Sequence, residues 1–333
     1  EEKDFPSVKC FDAAMEWADK NKNAKDFFLM VETFDPHEPF DIPEKYLELY
    51  NDDYKGPHFD LPKYKKIDVE TKEAIEHLKK RYKALVTMSD VHFGRFIDKL
   101  KENNMYDDTL IIFTTDHGYC LGEREYLGKS YMPAYNELSN IPLIVHFPDN
   151  NYAGERKAEL TQNIDLMPTI LDYQSVEIPD RVTGNSLRNI VEKNEQNRES
   201  LLYGIFGLAV NIYDGQYTYM RGARDNSKCY EYTTSLTTIR NWLGKDIPEK
   251  IECGHFLKNV DFPVYKVPAE KNALVSDFSY IMEDHLFDIK KDYEQINDIK
   301  DTEIINLMER KLSKALKEND APEEQWERLG LVK

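Results

Sequence analysis

Residues 109–148 read TLIIFTTDHGYCLGEREYLGKSYMPAYNELSNIPLIVHFP, and most of the fold follows from them. The first seven, TLIIFTT, form an uninterrupted apolar, β-branched run. A polar turn of Asn103, Asn104, Asp107 and Asp108 precedes it, so it reads as a strand buried on both faces. The last eight, IPLIVHFP, read as a second such strand stopped by Pro148. Upstream, Ile75, Leu78, Tyr82, Leu85, Val86, Phe93, Phe96, Ile97 and Leu100 recur at helical spacing. That predicts an amphipathic helix over 71–104, continuous or broken near Gly94. Downstream, residues 164–173 read as a further helix, with Asp165 and Pro168 near its start. Apolar strands alternating with helices imply an α/β fold: a parallel sheet covered by helices.

Working outward, residues 26–34 (DFFLMVETF) read as another buried strand, running into the loop DPHEPF at 35–40. Residues 41–70 are an irregular, Pro- and Tyr-rich excursion. Beyond residue 194 the runs become short and β-rich, at 201–206, 208–213 and 217–221, with an Asp214-Gly215 hairpin signal between the last two. Residues 285–289 add a strand and 302–318 a helix. The tail is thus a small C-terminal antiparallel sheet plus helix. The composition divides the chain into an α/β core portion over 1–195 and a C-terminal subdomain over 196–333. The aromatic-rich stretch 230–280 reads as a lining or lid for the pocket, because long loops tend to carry function.

With 62 acidic against 44 basic residues, the net charge is −18. Such a surface repels nucleic acid and anionic membranes, so neither is an expected partner. It also repels anionic substrates, which then need local positive charge. Cys10, Cys120, Cys229 and Cys253 form no CxxC pair, which argues against a disulfide framework or a structural zinc site and leans slightly towards a reducing, cytoplasmic setting. No run reads as a membrane span or a signal peptide.

Ligands of open α/β sheets sit beyond the carboxyl ends of the strands. Asp116-His117-Gly118 directly follows TLIIFTT, and a carboxylate and an imidazole at a strand tip are natural metal ligands. His37 stands in a loop held by Pro36 and Pro39. Lys129, after Gly128, can meet an anion as a point charge. Each feature alone reads more readily as a turn former or a solvated surface residue.

Their combination and order resemble the sulfatases of the alkaline-phosphatase superfamily. Residues 109–148 resemble the family's strand, D-[NH]-G, G-E-H-like turn, G-K step and V-P-L-I strand. Residues 164–172 (IDLMPTILD) resemble D-x-x-P-T-x-L-D, and Thr183-Gly184-Asn185-Ser186-Leu187 matches the G-x-S-L that follows it. HLFDI at 285–289 with YEQIND at 293–298 resembles the C-terminal L-Y-D-L…D-P-x-E-x-x-N-L, without its proline, and DPHEPF resembles the H-x-P substrate loop. The resemblance implies hydrolysis of a sulfate monoester on a sulfated small molecule or glycan. It implies Asp116 and His117 as ligands of one divalent metal, usually Ca2+, with Mg2+ or Zn2+ as alternatives. It implies Lys129 and His37 as sulfate contacts and proton donors to the leaving oxygen.

Two family features are missing. No C/S-x-P/A-x-R motif, whose first residue becomes the formylglycine nucleophile, occurs in the 333 residues. The paired aspartates expected after a first strand are absent as well. The chain therefore reads as the C-terminal part of a sulfatase, inactive by itself. It is expected to expose a sheet edge and apolar faces, and to dimerise or associate with the missing N-terminal portion. The same motifs also suit a phosphonate monoester or phosphodiester hydrolase, or a non-catalytic binding module on this scaffold.

Overall fold

A computed structural model describes residues 1–130, 132–224, 228–235, 237, 250–257, 260–269 and 283–332. The chain forms two compact units, one of residues 1–129 and 141–155, the other of residues 130–140 and 156–333.

The first unit contains helices α1 (Pro6–Lys20), α2 (Glu44–Leu47) and α3 (Lys72–Glu102), and strands β1 (Lys65–Lys66), β2 (Ile111–Thr114), β3 (Cys120–Leu121), β4 (Tyr126–Gly128) and β5 (Leu143–His146). The spine is α3, a single helix that starts where the Thr71 side chain accepts the Ala74 amide. It does not break at Gly94, where the helix surface is open and the missing side chain leaves no gap to fill. Its first half buries Ile75, Leu78, Ala84, Leu85 and Met88 against Phe40, Ile42, Tyr46 and Leu127. Its second half buries Phe96 and Leu100 against Phe11, Ala14 and Ala18 of α1. One helix thus carries two apolar clusters, and the first holds the loop after His37 next to β4. Arg81, itself buried, adds a hydrogen bond from Nε to the Phe40 carbonyl (2.9 Å).

Two strand expectations need correction. β2 and β5 do pair, with Ile111 opposite His146 and Thr114 opposite Leu143, but antiparallel rather than parallel. A parallel connection needs a crossover, usually a helix of a dozen or more residues. The segment between β2 and β5 instead folds into the short antiparallel strands β3 and β4 and one helical turn. Residues 26–34 are extended but pair with no strand among the described residues. Their burial still alternates. Phe27, Leu29 and Val31 pack on the α1–α3 cluster, while Phe28 (67% exposed), Met30 (69%) and Phe34 face outward. An exposed apolar face is thus present, while no sheet edge forms at 26–34, because the segment belongs to no sheet among the described residues.

Near the N-terminus, Glu2 accepts a hydrogen bond from Tyr46 Oη (2.7 Å), meets His92 Nε2 (2.9 Å) and pairs with Lys45. Burial raises its carboxyl pKa, but the contacts with Lys45, Tyr46 and His92 outweigh that and pull it down to about 2. A depressed carboxyl pKa stabilises the fold above its ordinary value near 4.5. That stability is lost as the pH falls from 4.5 towards 2, because the unfolded state takes up the proton first and is favoured by it. Urea unfolding of wild type and Glu2→Gln at a series of pH values is therefore expected to show a stability gap near pH 5 that closes towards pH 2. A gap that stays constant contradicts the assignment.

The second unit contains α4 (Asn136–Ser139), α5 (Leu166–Tyr173), α6 (Arg188–Lys193), β6 (Leu201–Gly204), β7 (Val210–Tyr213), β8 (Tyr217–Arg221), β9 (Cys229–Thr233), β10 (Glu252–Gly254), β11 (Val264–Ala269), β12 (His285–Asp288), α7 (Thr302–Glu318) and α8 (Glu324–Leu329). Its main sheet is antiparallel in the order β12-β8-β7-β6. The hairpin at Asp214 joins β7 to β8 as foreseen. Met308, Leu312, Ala315 and Leu316 of α7 lie on Ile212, Tyr219 and Leu286 of the sheet, beside Trp326 and Leu329 of α8. The small antiparallel sheet with its helix is thus as expected. The described parts of 230–280 form the separate sheet β10-β11-β9. The rest of that stretch, with its proposed lid role, lies outside the described residues.

The boundary falls at 155–156 rather than 195–196. Composition misses the reason, which is a buried carboxylate. Asp165 receives Arg198 Nη2 (2.5 Å), the amides of Gln162 (2.8 Å) and Asn185 (2.9 Å), and Asn197 Nδ2 (3.1 Å). Those bonds hold residues 162–198 together, and Gln162 Nε2 donating to the Leu202 carbonyl (2.7 Å) links them to β6. Gly184 has no room for a side chain there, since a Cβ would sit 1.9 Å from the Ile164 carbonyl oxygen. Residues 130–140 join the same unit through the Asn136 amide to Gln295 Oε1 (2.7 Å) and Asn136 Nδ2 to the Tyr293 carbonyl (2.7 Å).

Candidate functional site

The loop 35–40 is fixed at both ends. Ser7, fully buried in α1, donates to the Asp35 carboxylate, and burial raises the Asp35 pKa. At the other end the Phe40 amide bonds to the Asp60 carbonyl (2.8 Å). Between these anchors His37 stacks on Phe34, with ring centroids 4.6 Å apart.

Lys129 reaches this loop from the end of β4, and its Nζ lies 2.8 Å from His37 Nε2. Gly128 makes the approach possible. It has φ +99°, and a Cβ there would lie 2.5 Å from the Tyr64 ring. The His37 Nδ1 atom lies 2.6 Å from the Glu38 backbone carbonyl, which can only accept. Nδ1 therefore carries the proton and Nε2 accepts from the Lys129 ammonium.

Glu38 completes the cluster. It is 5% exposed, and its Oε1 accepts from Tyr64 Oη and lies 3.7 Å from Lys129 Nζ. Its Oε2 lies 3.4 Å from His37 Nδ1. Oε2 and the nearby Tyr119 hydroxyl are buried without a hydrogen-bond partner among the described residues. Burial, and then the Glu38 charge, push the Tyr119 phenol far up, so it stays a neutral donor. The buried Glu38 carboxylate thus opposes the Lys129 charge, and His37 is the more exposed member of the pair, at 39% against 16%.

Asp116 and His117 behave differently. The Asp116 side chain is 82% exposed and lies 3.5 Å from His117 Nε2. Its Oδ1 accepts the His117 amide (2.9 Å), and His117 Nδ1 faces the Gly118 carbonyl (2.9 Å). Neither residue bonds to His37 or Lys129 among the described contacts. The structure therefore joins two of the four candidates and leaves the other two as a pair at the end of β2.

Residues 7–176, just over half of the chain, match the sulfatase family model. The chain belongs to the sulfatase family. It is 26% identical over 220 residues to an arylsulfatase of Clostridium perfringens, covering 61% of this chain and 45% of that one. A yidJ sulfatase structure from Bacteroides fragilis superposes with a TM-score of 0.67 at 23% identity, over 96% of this chain and 60% of that one; this likeness supports the alkaline-phosphatase-like fold alone. A phosphonate monoester hydrolase from Silicibacter pomeroyi superposes with a TM-score of 0.56 at 26% identity, over 66% of this chain and 52% of that one. This sulfatase chain spans less than half the length of the curated relatives it matches.

Asp116 and His117 supply a carboxylate and an imidazole, the chemistry a divalent ion accepts. Among the described residues, however, no group of three or more His, Cys, Asp and Glu converges to hold one. Calcium takes about six to eight oxygens, so the donors seen in this sulfatase chain fall short of a full shell. Sequence reasoning also missed Glu38 and Tyr64. The signal for Glu38 is a carboxylate next to His37 inside the two-proline loop. Tyr64 has none, because it lies 26 residues from its partner. No helix among the described residues is long and apolar enough to cross a membrane.

Proposed function

We propose that this chain carries the sulfate-recognition and leaving-group side of a sulfatase that hydrolyses sulfate monoesters of sugars or aryl alcohols. The observation that carries the reading is the 2.8 Å contact between Lys129 Nζ and His37 Nε2 above the buried Glu38. Lys129 meets a sulfate oxygen as a point charge. When the anion takes over the ammonium, His37 Nε2 is released. With Nδ1–H still held by the Glu38 carbonyl, Nε2 takes a proton from solvent and passes it to the leaving oxygen, returning to the neutral imidazole. Glu38 and Tyr64 keep Lys129 in place. A divalent ion with Asp116 and His117 among its ligands would supply Lewis-acid chemistry. The extended segment 26–34, which pairs with no strand among the described residues, is where further strands of a longer sulfatase chain would add.

The formylglycine motif is absent from the 333 residues, so the chain by itself is expected not to turn over an aryl sulfate or an aryl phosphate, with or without added calcium. A chromogenic assay decides this. Calcium-dependent turnover would place a nucleophile inside these residues and overturn the reading. The likeness to the phosphonate monoester hydrolase keeps a second reading in play. Tighter binding of methylphosphonate than of sulfate at His37 and Lys129 would favour it.

A further inference from the structure

Among the described residues three arginines are more than nine-tenths buried: Arg81, Arg221 and Arg328. Arg81 lies 3.8 Å from Asp41, and Arg221 pairs with Asp284 (2.7 Å) and Glu309 (2.6 Å). Arg328, 4% exposed, has no carboxylate partner among the described residues. Its Nε donates to Gln325 Oε1 (2.8 Å) and its Nη1 to the Leu208 carbonyl (3.0 Å). A buried cation without a counter-charge is costly, and buried charges are normally paired. Burial lowers the Arg328 pKa, consistent with a missing partner.

The same arginine lines a cavity of about 300 Å³ within the second unit. Leu202, Phe206 and Val210 give it an apolar wall, and Cys229 and Gln325 complete the side around Arg328. We infer that this cavity is a binding site for a small organic monocarboxylate, its carboxylate paired with Arg328 and its short apolar chain against Leu202, Phe206 and Val210. The planar guanidinium matches a carboxylate fork. The single cation balances one negative charge, so a dianion such as sulfate would leave a charge uncompensated against an apolar wall. The volume is at the small end for ligand cavities, which limits the chain to a few carbons. The site is separate from the His37–Lys129 cluster and does not depend on the sulfatase mechanism.

Cys229 is a partly exposed free thiol on the cavity wall, which provides a reporter. The full chain is treated with iodoacetamide, and alkylation at Cys229, Cys10 and Cys253 is followed by mass spectrometry. Butyrate at about ten times its dissociation constant is expected to slow Cys229 alkylation about tenfold and to leave Cys10 and Cys253 unchanged. The neutral isostere butanamide is expected to give no protection, and Arg328→Gln to abolish that of butyrate. Arg328 also holds Gln325 and the Leu208 carbonyl, so should that variant fail to fold, the wild-type comparison of butyrate with butanamide decides alone. Equal protection by the two compounds, or none by butyrate, overturns the site. Protection by inorganic sulfate as strong as by butyrate overturns the carboxylate class.

Discussion

Asp165→Ala is expected to destabilise the second unit by about 3–5 kcal/mol, the cost of leaving a buried charge without its partner. Asp165 is fully buried, and Arg198, paired with it at 2.5 Å, is 12% exposed. Removing the carboxylate leaves the Arg198 guanidinium without its counter-charge, held only through Nη1 to Gln162 Oε1 (3.1 Å), and frees the amides of Gln162 and Asn185. The effect extends along α5, because Thr169 in the next turn accepts the Leu187 amide (2.9 Å) and holds the Gly184–Leu187 turn against the helix. The urea midpoint followed at Trp326 should fall with little change in slope, and the Leu187 amide should lose hydrogen-exchange protection. A shift within about 0.5 kcal/mol, typical of surface substitutions, would mean that the network is incidental to stability.

Lys129→Met is expected to weaken sulfate binding about ten- to a hundredfold. A hydrogen bond to a charged group contributes about 1.5–3 kcal/mol, and each 1.4 kcal/mol is about a factor of ten. The substitution also leaves Glu38 buried without its cation, so a loss of binding could reflect a disturbed loop. The double variant Lys129→Met/Glu38→Gln separates the two effects. Removing both charges relieves the unpaired carboxylate and should restore the folding stability lost in Lys129→Met, while sulfate affinity stays low. Recovery of affinity in the double variant would show that Lys129 serves the loop and not the anion.

Local pattern made α3, the β7–β8 hairpin and α7 legible, since each is specified by residues three or four apart or by one turn. Strand orientation was not legible. Whether 111–114 and 143–146 run parallel depends on how the intervening segment folds, and apolar runs carry no sign of direction. Residues 26–34 show the alternation of a strand, yet they pair with none among the described residues, and alternation alone carries no sign of a partner. At the site, the resemblance pointed to His37 and Lys129, which lie 92 residues apart and meet. Glu38 and Tyr64, which balance and position them, became visible only when α3 packed the loop against β4. Asp165 was recognised as part of a motif, but its partner Arg198 lies 33 residues away and nothing local announces the pair.

Titration of the chain with sulfate, followed by the imidazole nitrogen resonances of His37, probes sulfate recognition at the 37–129 cluster. Before sulfate is added, Nδ1 should carry the proton and Nε2 should show the shift of an acceptor. Saturating movement of the Nε2 resonance, absent in Lys129→Met and unaccompanied by changes at His92 or His285, is the predicted result. A His37 spectrum that stays fixed while sulfate is added, or that moves equally in Lys129→Met, would contradict the assignment of this cluster as the sulfate site.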